Sequence, residues 1–129
     1  MLGGMDASQA IADLTEISPQ VKDVVASGAG GAILGSNAPD AERLLAGARR
    51  LLDAAETLRP GVAQLEAATT TGSVFVVRDG DRLIAATTTP EPTVGLVFYD
   101  LKTCLRSIEE APKRRRAPAK EKEADDAAS

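Results

Sequence analysis

A chain of 129 residues with 43% hydrophobic side chains is long enough for one domain with its own core. Aromatic residues make up only 2% and the net charge is −4, so the sequence lacks the stacking platforms and the basic footprint of a nucleic-acid-binding protein. Histidine is absent and Cys104 is the one cysteine, which excludes Ser-His-Asp and Cys-His catalysis, zinc sites built on histidine or cysteine pairs, and an intrachain disulfide.

The sequence also lacks the marks of a membrane or exported protein. No apolar run approaches the ~20 residues that span a bilayer. The N-terminus, "MLGGMDASQA", has neither the basic region nor the apolar region of a signal peptide. We therefore expect a cytoplasmic protein without catalytic residues, cofactor or metal.

The first third of the chain predicts a helix and then a hairpin. The helix runs from about Asp6 to Ile17 and ends at Ser18-Pro19, because a residue before proline avoids the α region. A strand from Val21 to Ser27 follows, and its partner begins at Ala32 after the glycine-rich turn "GAGG". No Gly-Lys-Ser/Thr follows these glycines, so the turn is not typical of a phosphate-binding loop.

The segment "SNAPDAERLLAGARRLLDAAETLRP" predicts the longest helix. Asn37 or Asp40 can cap its start, and Pro60-Gly61 ends it. Its apolar and small side chains cover about half of the helix circumference, whereas packing on one sheet needs only ~100°. These side chains are Leu44, Leu45, Gly47, Ala48, Leu51, Leu52, Ala54, Ala55 and Leu58.

Two interpretations of this wide arc remain open. Alanine is a good helix former wherever it lies, so the excess can be neutral. Alternatively, half of the arc packs on the sheet and the other half on a second subunit.

Three strands are predicted next, at about Val62 to Thr70, Ser73 to Arg78 and Arg82 to Thr88. Asp79-Gly80 favours a tight hairpin turn between the last two. The first strand is the most polar of the three, which indicates a sheet edge whose backbone groups need protection or a partner.

The last helix is predicted from about Thr93 to Glu110, with Cys104 on its apolar stripe as a buried, inert thiol. The alternative is a strand "VGLVFY" followed by a shorter helix that Asp100 caps.

Residues 1–110 then form the domain. Residues 111–129 lack apolar periodicity, which predicts a disordered charged tail. Its basic run from Lys113 to Arg116 either is solvated or contacts an acidic partner or an anionic membrane.

The predicted order α-β-β-α-β-β-β-α indicates an α+β fold, with a single antiparallel five-stranded sheet and helices on both faces. Two segments in this order, "GGAILGSNAPDAERLLAGARRLLDAAETL" and "GSVFVVRDGDRLIAATT…GLVFYDLKTCLRSI", resemble the Roadblock family, which includes a dynein light chain. The resemblance covers about Ser8 to Ile108 and rests on pattern and order rather than on a catalytic motif.

The resemblance implies a homodimer in which the long helices pack together and the polar strands pair edge to edge. It would account for both the wide apolar arc and the polar edge strand. The interface residues that it implies are Ala41, Leu45, Ala48, Leu52 and Ala55 on the helix and Gln64, Glu66 and Ala68 on the strand.

The resemblance also implies a function. Bacterial and archaeal Roadblock proteins commonly bind small Ras-like GTPases and regulate their nucleotide cycle, and eukaryotic ones act as adaptors. Neither role requires a catalytic residue. We therefore expect a non-enzymatic regulator of a Ras-like GTPase; the alternative is a structural adaptor that joins larger proteins. An arginine finger from Arg43, Arg49 or Arg50 is a further option, although solvated helix charges are more common.

Overall fold

A computed structural model describes residues 5–108 of the chain. Three α-helices and five strands follow one another in the predicted order, and Ala29–Gly31 forms a short 3-10 helix after the first strand. The helices are α1 (Ala7–Ile17), α2 (Ala41–Leu58) and α3 (Val94–Ser107). The strands are β1 (Val21–Ser27), β2 (Ile33–Ser36), β3 (Gln64–Thr69), β4 (Gly72–Asp79) and β5 (Arg82–Thr88).

The strands form one antiparallel sheet in the order β2-β1-β5-β4-β3. Alternation of side chains along each strand divides the core into two layers. On one face, α1 and α3 cover residues such as Phe75, Val77 and Ile84. On the other face, α2 covers Val76 and Ala85 together with their neighbours. The predicted α+β fold with helices on both faces is confirmed.

The starts of α1 and α2 are capped by aspartate side chains. The Asp6 side chain accepts a hydrogen bond from the Gln9 N–H at 2.8 Å, and the Asp40 side chain accepts one from the Arg43 N–H at 3.1 Å. Asp40, rather than Asn37, therefore caps α2. The Asn37 Oδ1 instead accepts from the Val24 N–H at 2.6 Å, which ties the start of the α2 loop to β1.

The β4–β5 hairpin closes through Gly80 and Asp81, because Asp79 and Arg82 are the last paired residues. Gly80 has a φ of 66°, a conformation that glycine adopts without the steric cost of a Cβ. The hairpin places β4 and β5 in the centre of the sheet, where Phe75 of β4 stacks edge-to-face on Phe98 of α3 with ring centroids 4.9 Å apart. It is a scaffold element whose side chains fill both core layers.

The last helix forms as one continuous element, as predicted, and a strand "VGLVFY" does not form. It ends at Ser107, however, rather than continuing to Glu110. The Ser107 carbonyl accepts from the Met5 N–H at 2.8 Å, and the Ile108 N–H bonds back to Leu105. Met5 and Ile108 form a short parallel bridge, so the helix stops where the two ends of the domain meet. The predicted tail, residues 111–129, lies outside the described residues.

Candidate functional site

An apolar groove lies beside α2 on the side that faces β3. Its volume is about 680 Å³. The wall consists of Leu44, Gly47 and Leu51 of α2, and the floor includes Val74 of β4 and Thr87 of β5. The groove exists because α2 crosses β1, β5 and β4 but leaves part of the same sheet face uncovered.

The structure divides the wide apolar arc of α2 into two halves. Leu45, Ala48 and Leu52 are buried against the sheet at 6%, 1% and 3% exposure. Leu44 and Leu51 are half-buried along the groove, while the other members of their half are exposed, namely Gly47, Ala54 and Leu58. Packing on the sheet thus buries one half of the arc, whereas in the other half Leu44 and Leu51 pack only partly against the same core and the remaining residues are exposed.

Among residues 5–108, strand β3 lies at the edge of the sheet and pairs with β4 on one side only. The Arg78 N–H donates to the Ala63 carbonyl at 2.8 Å, and the pairing continues as Gln64 opposite Val77. Because hydrogen-bonded and non-hydrogen-bonded pairs alternate in an antiparallel ladder, the backbone N–H and C=O groups of Gln64, Glu66 and Ala68 point away from β4. These three residues supply the open hydrogen-bonding edge.

The side chains of β3 differ between its two faces. Leu65 and Ala67 pair with Val76 and Val74 and therefore lie on the α2 face, next to the groove. Gln64, Glu66 and Ala68 lie on the opposite face, where Glu66 accepts a hydrogen bond from the Ser73 hydroxyl at 2.8 Å. The groove ends at Val74 of β4, which pairs with Ala67 of β3, so the groove and the open edge lie one strand apart.

A charged clamp fixes the connection between α2 and this edge. The Glu56 carboxylate near the end of α2 accepts from the Gly61 N–H at 3.2 Å and the Val62 N–H at 3.0 Å. The Arg78 guanidinium of β4 donates both to Glu56 and to the Val62 carbonyl. The hydrogen bond from Arg78 and those from the two backbone amides lower the pKa of Glu56 below its ordinary value.

The comparisons with known proteins agree with this architecture. A Roadblock/LC7 domain from Streptomyces avermitilis aligns with a TM-score of 0.65 at 17% identity, over 81% of this chain and 94% of that one. Myxococcus xanthus MglB aligns with a TM-score of 0.60 at 13% identity, over 78% and 82%. A structure described as MglB with tetrameric arrangement aligns at 0.59 and 13%, over 84% and 90%. The fold is that of a Roadblock/LC7 domain.

The comparisons with family models and with curated sequences found no match. Identities of 13–17% to these Roadblock structures show a shared fold and leave partner and activity to be established on this chain itself.

The eight predicted interface residues lie in different environments of this fold. Gln64, Glu66 and Ala68 come together on the open edge. Ala41 and Ala55 are half-buried near the two ends of α2. Leu45, Ala48 and Leu52 lie beneath α2, where the chain's own sheet already covers them. The sequence pattern shows the width of the arc but not which half meets the sheet, because that depends on the tilt of α2.

Within residues 5–108, no group of three or more acidic or cysteine side chains is placed to hold a metal ion. Burial raises the pKa of the Cys104 thiol to about 11, and the nearby charge of Asp13 contributes. In the same range, no helix combines the length and apolar character that membrane crossing requires.

The three arginines of α2 have separate surroundings. Arg43 borders the apolar groove, and Arg50 is exposed. The guanidinium of Arg49 lies against Gly31, so close that a Cβ on residue 31 would be 2.6 Å from the Arg49 Nη2.

The Glu56–Arg78 clamp was not predicted, because its members are 22 residues apart and no local pattern joins them.

Proposed function

We propose that this protein is a cytoplasmic, non-enzymatic homodimer that binds a small Ras-like GTPase and modulates its nucleotide cycle or its localisation. One observation carries the proposal: on a Roadblock/LC7 fold, the edge of β3 that no described strand pairs with lies one strand away from the apolar groove that ends at Val74 of β4. Each is costly to leave open in water, and a second copy of the chain would cover both.

In the proposed dimer, the two β3 edges pair antiparallel across a two-fold axis, so that the same patch meets itself. Gln64, Glu66 and Ala68 contribute their outward backbone groups. The α2 helix of the partner enters the groove beside Leu44 and Leu51, and Gly47 allows close approach because open space surrounds the position of its absent Cβ. Ala41 and Ala55 border this contact, while Leu45, Ala48 and Leu52 hold α2 in place from beneath.

The GTPase partner is supported by the resemblance to Roadblock proteins of bacteria and archaea, which commonly regulate such enzymes. Two of the structural neighbours are MglB structures, and one has a tetrameric arrangement. A regulator that acts on the switch loops of its partner needs shape and surface rather than a nucleophile or a general base. A domain whose only thiol is buried and protonated fits that requirement.

The test uses the purified 129-residue chain and the small GTPase that co-purifies with it from its native cells. We expect the wild type to bind this GTPase and to change its rate of nucleotide hydrolysis or exchange. The double variant Leu44→Glu/Leu51→Glu places two charges in the groove and should weaken the effect. The matched control Leu96→Glu places a charge on the outer side of α3, where Leu96 is already 49% exposed.

Two results would contradict the proposal. One is that no small GTPase co-purifies with the chain and that the chain leaves the hydrolysis and exchange rates of the small GTPases of its native cells unchanged. The other is a dimer whose reproducible partners are only large proteins without GTPase activity, which would favour the structural adaptor.

A further inference from the structure

A second groove lies on the opposite face of the molecule, between α1 and α3. Its volume is about 310 Å³. Ala10, Leu14 and Cys104 form its apolar floor, and all three are buried. At its far end, Ile17 is 70% exposed. This groove is distinct from the α2 groove, because the sheet separates the two.

The rim of the α1–α3 groove is acidic. Asp13, Glu16 and Asp100 line it, and no lysine or arginine does so among the described residues. Asp13 accepts a hydrogen bond from the neutral Gln9 side chain at 2.9 Å. Three carboxylates around an apolar floor favour an occupant with basic heads and apolar stems, which is the chemistry of lysine and arginine side chains.

The chain itself continues from the mouth of this groove. Met5 and Ser107 line its near end and are joined by the hydrogen bond that precedes Ile108. Glu109 and Glu110 follow, and the sequence then reads "APKRRRAPAK" from 111 to 120, a segment with five basic residues and no acidic one. Ala-Pro pairs flank the basic run, and these small residues suit a narrow apolar groove.

The distances allow this segment to reach the acidic rim. Asp100 lies seven residues before Ser107 on α3, which corresponds to about 10 Å. Residues 113–116 lie five to eight positions beyond Ile108, so an extended chain carries them up to roughly 17–26 Å. A covalently attached segment has an effective concentration on the order of millimolar, so weak charge pairing is sufficient for occupancy.

We propose that residues 111–120 bind in the α1–α3 groove of their own chain, with Lys113 to Arg116 paired to Asp13, Glu16 and Asp100. The segment covers the apolar floor and occupies the face that α2 does not use. A partner with a basic, small-residue segment would have to displace it. The contact is independent of the proposed dimer, since it uses neither β3 nor α2.

The experiment compares amide spectra of the full 129-residue chain with those of a variant in which Lys113, Arg114, Arg115 and Arg116 are all replaced by Gln. We expect shift changes at the amides of α1 and α3 that line the groove, and similar changes in the wild type when salt is raised. As a second readout, the labelling rate of Cys104 by a thiol reagent should rise severalfold in the variant, because the covered floor becomes accessible.

A matched pair of rim variants completes the design. The rim variant is Asp13→Asn/Glu16→Gln/Asp100→Asn, and in it the four-Gln change should no longer shift the groove amides or raise the labelling rate. The control variant removes three carboxylates on the α2 side, by Glu42→Gln/Asp53→Asn/Asp81→Asn, and should leave both responses intact. The proposal is overturned if the four-Gln variant leaves the groove amides and the labelling rate unchanged. It is also overturned if the basic run responds only to phosphatidylserine vesicles, which would assign it to a lipid surface.

Discussion

At the scale of single residues, Glu56 connects the end of α2 to the loop that leads into β3. Its carboxylate holds two backbone amides of the α2–β3 loop and the Arg78 guanidinium. Its side chain is 31% exposed and that of Arg78 is 34% exposed, so solvent screens the pair and its main contribution is positional. The clamp sets where β3 begins and thereby where the open edge lies.

The first prediction concerns Glu56→Gln and pH. Because the pKa of Glu56 is lowered in the folded protein, its contribution is present above the ordinary value of 4.5 and is lost as pH falls through the folded value. The variant should be less stable than the wild type at neutral pH, and the difference should shrink below that window. Urea unfolding at several pH values measures it, with Glu42→Gln as control. A difference independent of pH would contradict the clamp.

The second prediction concerns Cys104. With its pKa raised to about 11 from 9.0, the thiolate fraction at neutral to mildly alkaline pH is roughly 100-fold lower than for an unperturbed cysteine. Ellman's reagent should therefore react with the folded chain at least about 100-fold more slowly than with the same chain in denaturant. Equal rates in the two states would show that Cys104 is neither buried nor shifted.

At the scale of elements, β3 is the strand whose proposed role depends on pairing with a second copy of the chain. It pairs with β4 over six residues and presents the backbone groups of Gln64, Glu66 and Ala68 on its other side. The polar composition of "QLEAAT" already indicated an edge, because a central strand would be more apolar. The sequence did not predict which residues direct their backbone outward, since that follows from the register.

The third prediction uses this register. Ala68→Pro removes an N–H that points away from β4, so the β3–β4 ladder keeps its hydrogen bonds while the open edge loses a donor. The variant should stay folded by circular dichroism but shift from dimer to monomer. Ala68→Val, which keeps the N–H, is the matched control and should stay dimeric. If both variants had the dimer mass, edge pairing through β3 would be wrong.

At the scale of the whole molecule, the fold was largely predictable and the interface only partly so. Turn residues such as Gly80 and caps such as Asp40 act locally, and the element order followed from them. Long-range features could not be predicted in this way, because the end of α3 depends on Met5 and the Glu56–Arg78 clamp joins distant segments. The half of α2 that meets the sheet was also not predictable, because the periodicity of Leu44 and Leu45 is the same whichever side faces inward.

The fourth prediction follows from that division of α2. Leu44→Glu/Leu51→Glu places charges on the open half, so it should favour the monomer and lower the free energy of unfolding of that monomer by no more than about 2 kcal/mol. Leu45→Ala/Leu52→Ala deletes buried groups and should cost about 2–5 kcal/mol for each residue. Denaturant unfolding at protein concentrations at which the dimer dissociates distinguishes the two double variants. The reverse order of their effects would mean that the opposite half of α2 is open.

The most direct test of the central claim is the mass of the purified 129-residue chain by light scattering. The proposed dimer has twice the 13.3 kDa of one chain, and we expect this mass to be lost in Ala68→Pro and retained in Ala68→Val. A mass of one chain at every concentration measured would contradict it, because the open β3 edge and the α2 groove would then have no second copy to cover them.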